Sequence, residues 1–454
     1  MTKKIKKAGD LGISHTMVSH DALYVIEKLQ KSSFDGYIVG GGVRDLLLGK
    51  TPKDFDIVTN ASPEQVRKIF RNNSIIIGRR FKIVHVLFNN INPEKMVNNR
   101  PIIERNVIEI STYRSFKVHK HHINEHGKIT EDNNYGTQEE DAFRRDFTIN
   151  SLYYDPIKEI VIDYTNGIKD VQNKLIRVIG NVKERYTEDP VRMLRAFRLA
   201  VKLDLQIEKH AYAPFNKMKH LLTHENKWRL YEEMLKILLS GSSALCIQKL
   251  QEIKLPHNVF TLFDKLFFCS TPDTFAIRVL EKTDLRLKET TDISVIFILA
   301  GLLWPIIHKS WTKHLTSGVS AYNGLLESIT YHEDFIFSVG ITKNIFCAMR
   351  EIWMLQLKLE APQVSILAKM TTMPRFRQAW HLYCLRQEFN QIDNQLYEWW
   401  NKYIAATSEQ QMALVEELKI LIPNQPLDKP KRKKKRKKKS SIATKHIPST
   451  DDAT

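Results

Sequence analysis

Apolar and polar positions divide the chain into two regimes. Over 31–155, short β-rich runs at 37–39, 56–59, 74–77, 83–88, 107–112 and 148–154 alternate with helical stretches. Between the second and third runs, Ala61-Ser62-Pro63-Glu64 reads as an N-cap with proline in the first helical turn. From about 165 to 420 strand signals nearly vanish and amphipathic helical spacing dominates. WRLYEEMLKILLSG at 228–241 is typical, with a glycine closing the helix. Residues 1–30 read as a basic leader and a helix carrying Leu23, Ile26 and Leu29. The pattern predicts an α+β chain, with a sheet-and-helix head at 31–155, a helical neck at 156–245 and an all-helical body at 246–420. In 421–454, Pro423, Pro426 and Pro430 break regular structure and lead into a tail.

Candidate chemistry concentrates in 39–58, VGGGVRDLLLGKTPKDFDIV. On an extended strand, side chains two residues apart share a face, so Asp54 and Asp56 aim two carboxylates at one spot while Phe55 and Ile57 turn to a core. Two hard oxygen ligands so placed suit magnesium and a nucleoside triphosphate. Gly40, Gly41 and Gly42 permit a tight turn with close backbone approach to phosphate. Arg44 would face that triphosphate, or pair with Asp45 to fix the turn.

Two further motifs carry chemistry. RRDFTINSLYYD at 144–155 places Arg144, Arg145 and Asp146 just ahead of a β-rich segment, and arginines so placed face phosphate or carboxylate. A third carboxylate beside Asp54 and Asp56 is either Asp146 or Glu109, which shares a strand face with Ser111. TEDPVRMLRAFRLA at 187–200 opens a helix, with Asp189 as cap, Pro190 in the first turn, and Arg192, Arg195 and Arg198 recurring every third residue. The arginines read equally as a solvated face. A carboxylate beside a guanidinium can also read the Watson–Crick edge of a base.

The ordered set of strand, glycine turn, short helix, Gly49-Lys50-Thr51-Pro52 turn and acidic strand resembles the class II polymerase-β-like nucleotidyltransferases. This is the tRNA nucleotidyltransferase/poly(A) polymerase family. The resemblance implies that Asp54 and Asp56, as metal ligands, hold two Mg²⁺ ions, with Asp146 completing the catalytic acidic cluster. Gly40, Gly41, Arg44 and Arg145 would bind nucleotide, and Asp189 and Arg192 would act as a protein template selecting it. IGRRFKIVHVLF at 77–88 and Ser151-Leu152-Tyr153-Tyr154 resemble the poly(A) polymerase versions of these segments. The implied reaction is addition of AMP from ATP to RNA 3′ ends, with a place in mRNA processing and RNA decay and with RNA-decay proteins as partners. The alternative is CCA or A addition to tRNA.

Charge sharpens the choice of partner. The formal net charge is +18, and 429–439, KPKRKKKRKKK, carries ten positive charges. Lys431, Arg432, Lys433, Lys434, Lys435 and Arg436 cannot bury themselves and reach toward RNA phosphates without reading sequence. His119, His121, His122 and His126 lie in a polar stretch at 114–141 and lack the cysteines of a structural zinc site, which makes that stretch a surface loop. The single His20-Asp21 pair lies upstream of the acidic strand and does not support phosphohydrolase chemistry. Four scattered cysteines indicate a reducing compartment, here a bacterial cytoplasm. The N-terminal MTKKIKKAGD lacks the apolar run of a secretory signal. The apolar run 293–307 is shorter than the ~20 residues of a membrane span and reads as a buried helix.

Overall fold

The computed structural model describes residues 3–78, 81–97, 100–115, 134–289 and 293–421. The histidine-bearing stretch at 119–126 and the basic run 431–436 lie outside the described residues. Two compact units form: residues 1–305 with 333–349, and residues 306–332 with 350–454. The fold is α+β, a mixed-sheet head followed by helices.

An eight-stranded sheet organises the first unit. Its strands are β1 (Lys4–Lys7), β2 (Tyr37–Val39), β3 (Asp56–Thr59), β4 (Ser74–Ile77), β5 (Ile83–Val97), β6 (Arg100–Thr112), β7 (Leu152–Asp155) and β8 (Ile160–Asp163), in the order β1-β8-β7-β2-β3-β6-β5-β4. Every pairing is antiparallel except that of β3 with β6. Consecutive strands supply the antiparallel pairs β2–β3, β4–β5, β5–β6 and β7–β8, whereas β1–β8 and β2–β7 join strands far apart in sequence, and the parallel pair needs the long excursion through β4 and β5.

The sheet departs from the sequence pattern at four places. The leader is itself an edge strand, with Lys4 opposite Asp163 and Lys7 opposite Ile160. All four of its residues are exposed, so no apolar alternation announced it. The sheet likewise continues past 155 into β8. Strands β5 and β6 extend beyond the apolar segments as a long ladder, with a register shift between Asn92 and Met96 where Pro93 cannot donate. Residues 148–150 form a 3₁₀ turn ahead of β7 rather than its first residues.

Seven helices frame the sheet and extend the chain beyond it: α1 (His20–Lys31), α2 (Gly41–Leu47), α3 (Pro63–Phe70), α4 (Gln138–Arg144), α5 (Gly167–Gln172), α6 (Val182–Glu188) and α7 (Val191–Leu203). Helix α1 buries Val25, Ile26 and Leu29, and its Asp21 accepts from Asn106 at 2.9 Å. Helix α3 starts with a capping box between Ser62 and Gln65 and has Pro63 in its first turn. On one sheet face, Val39, Val58, Tyr113, Ala142, Tyr153, Ile162 and Tyr164 form a buried cluster. Helix α5 packs closely on the 148–150 turn, where a Cβ on Gly167 would lie 2.2 Å from the Thr148 carbonyl oxygen.

The second unit is helical. Trp400 donates to the Leu359 carbonyl at 2.9 Å, and Trp399 to that of Leu414 at 2.8 Å. Arg386 is only 1% exposed; it pairs with Glu360 at 2.6 Å and donates to Gln356 at 3.1 Å. One helix, Val295–Thr316, is longer than the apolar run that predicts it. Its length and hydropathy would allow it to cross a membrane, but half of its apolar window is buried and Trp304 is fully so.

Gly167→Ala should lower unfolding stability by about 1–3 kcal/mol, because backbone and not a flexible side chain must yield. A shifted denaturant midpoint with an unchanged slope is the expected reading.

Candidate active site

The glycine turn joins β2 to α2. Gly40 has φ 71° and ψ −129°, a backbone conformation that side-chain-bearing residues avoid. Arg44 is buried beneath this turn. Its guanidinium donates to Asp45 at 2.7 and 2.8 Å and to Asn150 at 2.7 Å. The pairing with Asp45 that the sequence allows is thus present.

Asp54 lies two residues before Asp56, which opens β3. Both are exposed, while Phe55 and Ile57 are buried, so the alternation extends through the residues just before the ladder. The parallel register pairs Ile57 with Ile110 and Val58 with Ser111, and its continuation puts Glu109 beside Asp56. On the other side of β6, His85 of β5 stands directly opposite Glu109, with His85 Nε2 3.7 Å from the carboxylate. Although Asp56 has exposed surface, its carboxyl is partly desolvated by the surrounding cleft walls; this first, then the Glu109 carboxylate, pushes it up to about 6, while Arg145 opposes the shift and Asp54 adds to it.

Asp146 sits elsewhere. It is buried, lies 2.7 Å from Arg195 of α7, and accepts from Asn150 at 3.2 Å and from the Phe147 amide at 2.7 Å. Burial alone would raise its pKa, but Arg195 and these hydrogen bonds hold it below the usual carboxylate value. Arg145 is anchored by Asp141 at 2.8 and 3.1 Å, and Asp141 also accepts from the Tyr153 hydroxyl at 2.9 Å.

The arginines of α7 are not a solvated face. Arg192 pairs with Glu188 at 3.0 Å, Arg195 with Asp146, and Arg198 with buried Glu233 at 2.5 Å. Arg185 of α6 ties this helix pair to the head. It donates to the Arg144 and Arg145 carbonyls and pairs with Glu188 at 2.7 Å. Asp189 accepts from the Val191 amide at 3.2 Å and from Arg229 at 2.8 Å.

Two adjoining clefts share Asp56, Arg144 and Arg145. One, of ≈ 250 Å³, also holds Glu109, Ser111, Arg114 and Asp141. The other, of ≈ 290 Å³, holds Gly40, Gly41, Asp146, Asn150, Arg192 and Arg195. Sequence reasoning assigned no role to Arg195, Asn150 or Asp141. Their signals were present, since Asp141 stands four residues before Arg145 and Asn150 four after Asp146. Asp189 lines neither cleft. Among the described residues, no group of three or more His, Cys, Asp or Glu side chains converges as a metal cage.

A double-mutant cycle on Asp146→Asn and Arg195→Ala should return a coupling of about 1–3 kcal/mol in denaturant unfolding. Additive effects of the two substitutions would deny the ion pair a structural role.

Comparison with known proteins identifies the family. Residues 36–177 match the poly A polymerase head domain, 204–283 the probable RNA and SrmB-binding site of polymerase A, and 327–440 the polymerase A arginine-rich C-terminus. Poly(A) polymerase I of Haemophilus influenzae is 36% identical, over 95% of this chain and 93% of its own length. Poly(A) polymerase I of Salmonella typhimurium is 37% identical over 89% and 87%. A CCA-adding enzyme of Ligilactobacillus salivarius is 32% identical over 52% of this chain and 53% of its own. A solved tRNA-processing enzyme with CTP shares the fold at 20% identity and a TM-score of 0.52, covering 87% of this chain and 98% of that one. The chain is a nucleotidyltransferase and belongs to the poly(A) polymerase I family.

Proposed function

We propose that the protein adds AMP from ATP to RNA 3′ ends without a template and releases pyrophosphate. The observation that carries this reading is Asp56 shared by two adjoining clefts, one holding Glu109 and the other the glycine turn with Arg192 and Arg195, in a chain similar over nearly its whole length to poly(A) polymerases I. The RNA 3′-oxygen bonds to the α-phosphorus, the bond to the bridging oxygen breaks, and pyrophosphate leaves with that electron pair. The hydroxyl proton passes to solvent.

Asp54, Asp56 and Glu109 would hold the magnesium ions. Glu109 replaces Asp146 in this assignment, because Asp146 is closed off by Arg195, Asn150 and the Phe147 amide, whereas Glu109 lies open beside Asp56. The crowding that raises the Asp56 carboxyl is what a divalent cation relieves. An open set of carboxylates, completed by phosphate oxygens, is the usual way proteins bind magnesium. When bound, the ions neutralise the triphosphate and ease ionisation of the 3′-hydroxyl.

Arg192 and Arg195 face the triphosphate side of Asp56, and Gly40 and Gly41 admit the phosphates there. Arg44 and Asn150 act through the turn they brace. Asp189, oriented by Arg229, would accept from the adenine amine. The basic run at 431–436 would hold RNA by phosphate contacts alone. All four cysteines are free, which fits a reducing bacterial cytoplasm, where such tails feed mRNA processing and decay. The second reading, tRNA CCA or A addition, has support in the CCA-adding relative.

With ATP alone and an arbitrary RNA, a long ladder on a gel is expected; one to three additions restricted to tRNA would select the second reading. Asp54→Ala and Asp56→Ala should abolish AMP incorporation while RNA still binds. Glu109→Gln should cost about as much as Asp56→Asn, and more than Asp146→Asn. Deleting 429–454 should weaken RNA binding and flatten its salt dependence, read as the slope of log affinity against log salt.

A further inference from the structure

The sheet face that bears Asp56 and Glu109 is covered on one half only. Over β2, β3, β7 and β8 it lies under the buried cluster of Tyr113, Ala142, Tyr153 and Tyr164. Over residues 107–109 of β6, 83–87 of β5 and β4, it is open among the described residues. The registers place Glu109, His85 and Ile75 in one row across these strands, with Ile83 and Ile77 paired in a flanking row. Val107 and Leu87 form the row on the other side. Ile75 is 49% exposed, Ile77 41% and Val107 44%, while His85, Ile83 and Leu87 are half-buried. The opposite face of the same strands is closed, with Val84, Val86, Ile108 and Ile110 buried. An apolar platform thus begins at the candidate catalytic carboxylates and runs to the sheet edge. Around that edge, on the side of the face that Ser74 shares with Val86, an open groove is lined by Arg67, Lys68 and Arg71 together with Glu64 and Asn72.

We propose that this platform seats the last two or three nucleotides of single-stranded RNA before the reacting 3′ end. The inference rests on the nucleotidyl-transfer reading and deepens it. In-line transfer puts the attacking hydroxyl and the departing pyrophosphate on opposite sides of the α-phosphorus. Arg192, Arg195 and the glycine turn lie on one side of Asp56, so the RNA enters from the Glu109 side. The floor continuing from Glu109 is the open half-sheet. Two strand spacings, about 10 Å in all, accommodate about two or three bases lying on aliphatic side chains and the His85 imidazole. Beyond the edge, Arg67, Lys68 and Arg71 take the phosphates of the nucleotides further from the 3′ end. Contact through base faces reads no sequence, as a polymerase acting on varied 3′ ends requires.

The test uses the full chain at raised salt, with oligo(A) primers of two to six nucleotides. In Ile75→Glu/Ile77→Glu the KM for the six-nucleotide primer should rise about tenfold or more. The KM for ATP should stay within about twofold, since no ATP contact changes. The advantage of the longer primer over the dinucleotide should disappear. Ile75→Val/Ile77→Val should behave as wild type. If the glutamates lower the thermal midpoint, Ile75→Thr/Ile77→Thr, which keep β-branching, carry the same readout. A 4-thiouridine placed two or three nucleotides from the 3′ end should crosslink within 75–87. An unchanged primer KM and length dependence, with crosslinks elsewhere, overturns the platform. So does loss of self-association in the glutamate variant without any change toward RNA. Binding is read in parallel with 3′-deoxy RNA and no ATP. A wild-type chain that binds and crosslinks there but never extends RNA would refute the polymerase reading and leave the platform standing.

Discussion

The parallel pairing of β3 with β6 is the constraint on which the rest of the site depends. In a sheet otherwise built from antiparallel neighbours, it brings together residues more than fifty positions apart and sets Glu109 beside Asp56. A slip of one residue would turn Glu109 to the closed face and bring an isoleucine in its place. The buried Val84, Val86, Ile108 and Ile110 prevent that slip, since it would drive them into solvent. The chemistry of one face is therefore held in register by the hydrophobic packing of the other.

A second layer of order comes from charge. Four arginines near the site have carboxylate partners: Arg44 has Asp45, Arg145 has Asp141, Arg192 has Glu188 and Arg195 has Asp146. Such pairs gain little net stability once desolvation is counted, but removing one partner leaves a buried charge uncompensated. Their value lies in direction. Each guanidinium is held in a fixed direction, so in the proposed reaction less ordering would be left for the binding step. Arg185, bonded to backbone carbonyls on one side and to Glu188 on the other, makes the helix pair and the motif at 144–146 a single rigid frame.

Much of this was legible in the sequence because it is local. The glycine turn, the alternation through Asp54-Phe55-Asp56-Ile57, the proline-capped start of α3 and the strands at 37–39, 56–59 and 74–77 all depend on neighbours within a few residues. What the sequence left open depends on long-range register. Asp146 and Glu109 are both acidic, both near β-rich segments and both close to arginine or serine. Only the β3–β6 ladder and the position of α7 separate them. The lysine-rich leader carries no strand signal for the same reason. Its strand is made by the partner it meets, β8, and not by any pattern of its own.

That leader strand has a consequence for how the protein behaves when concentrated. A sheet with free margins is prone to joining another sheet edge to edge, and natural proteins guard against this with lysines on the outer strand. Here Lys4, Lys6 and Lys7 guard one margin, whereas the other, β4, reads Ser-Ile-Ile-Ile and has no charge of its own. The sheet is protected against aggregation on one side only. If RNA lies across the other side, the substrate also serves as the missing guard, and solubility becomes a property of the complex rather than of the free chain.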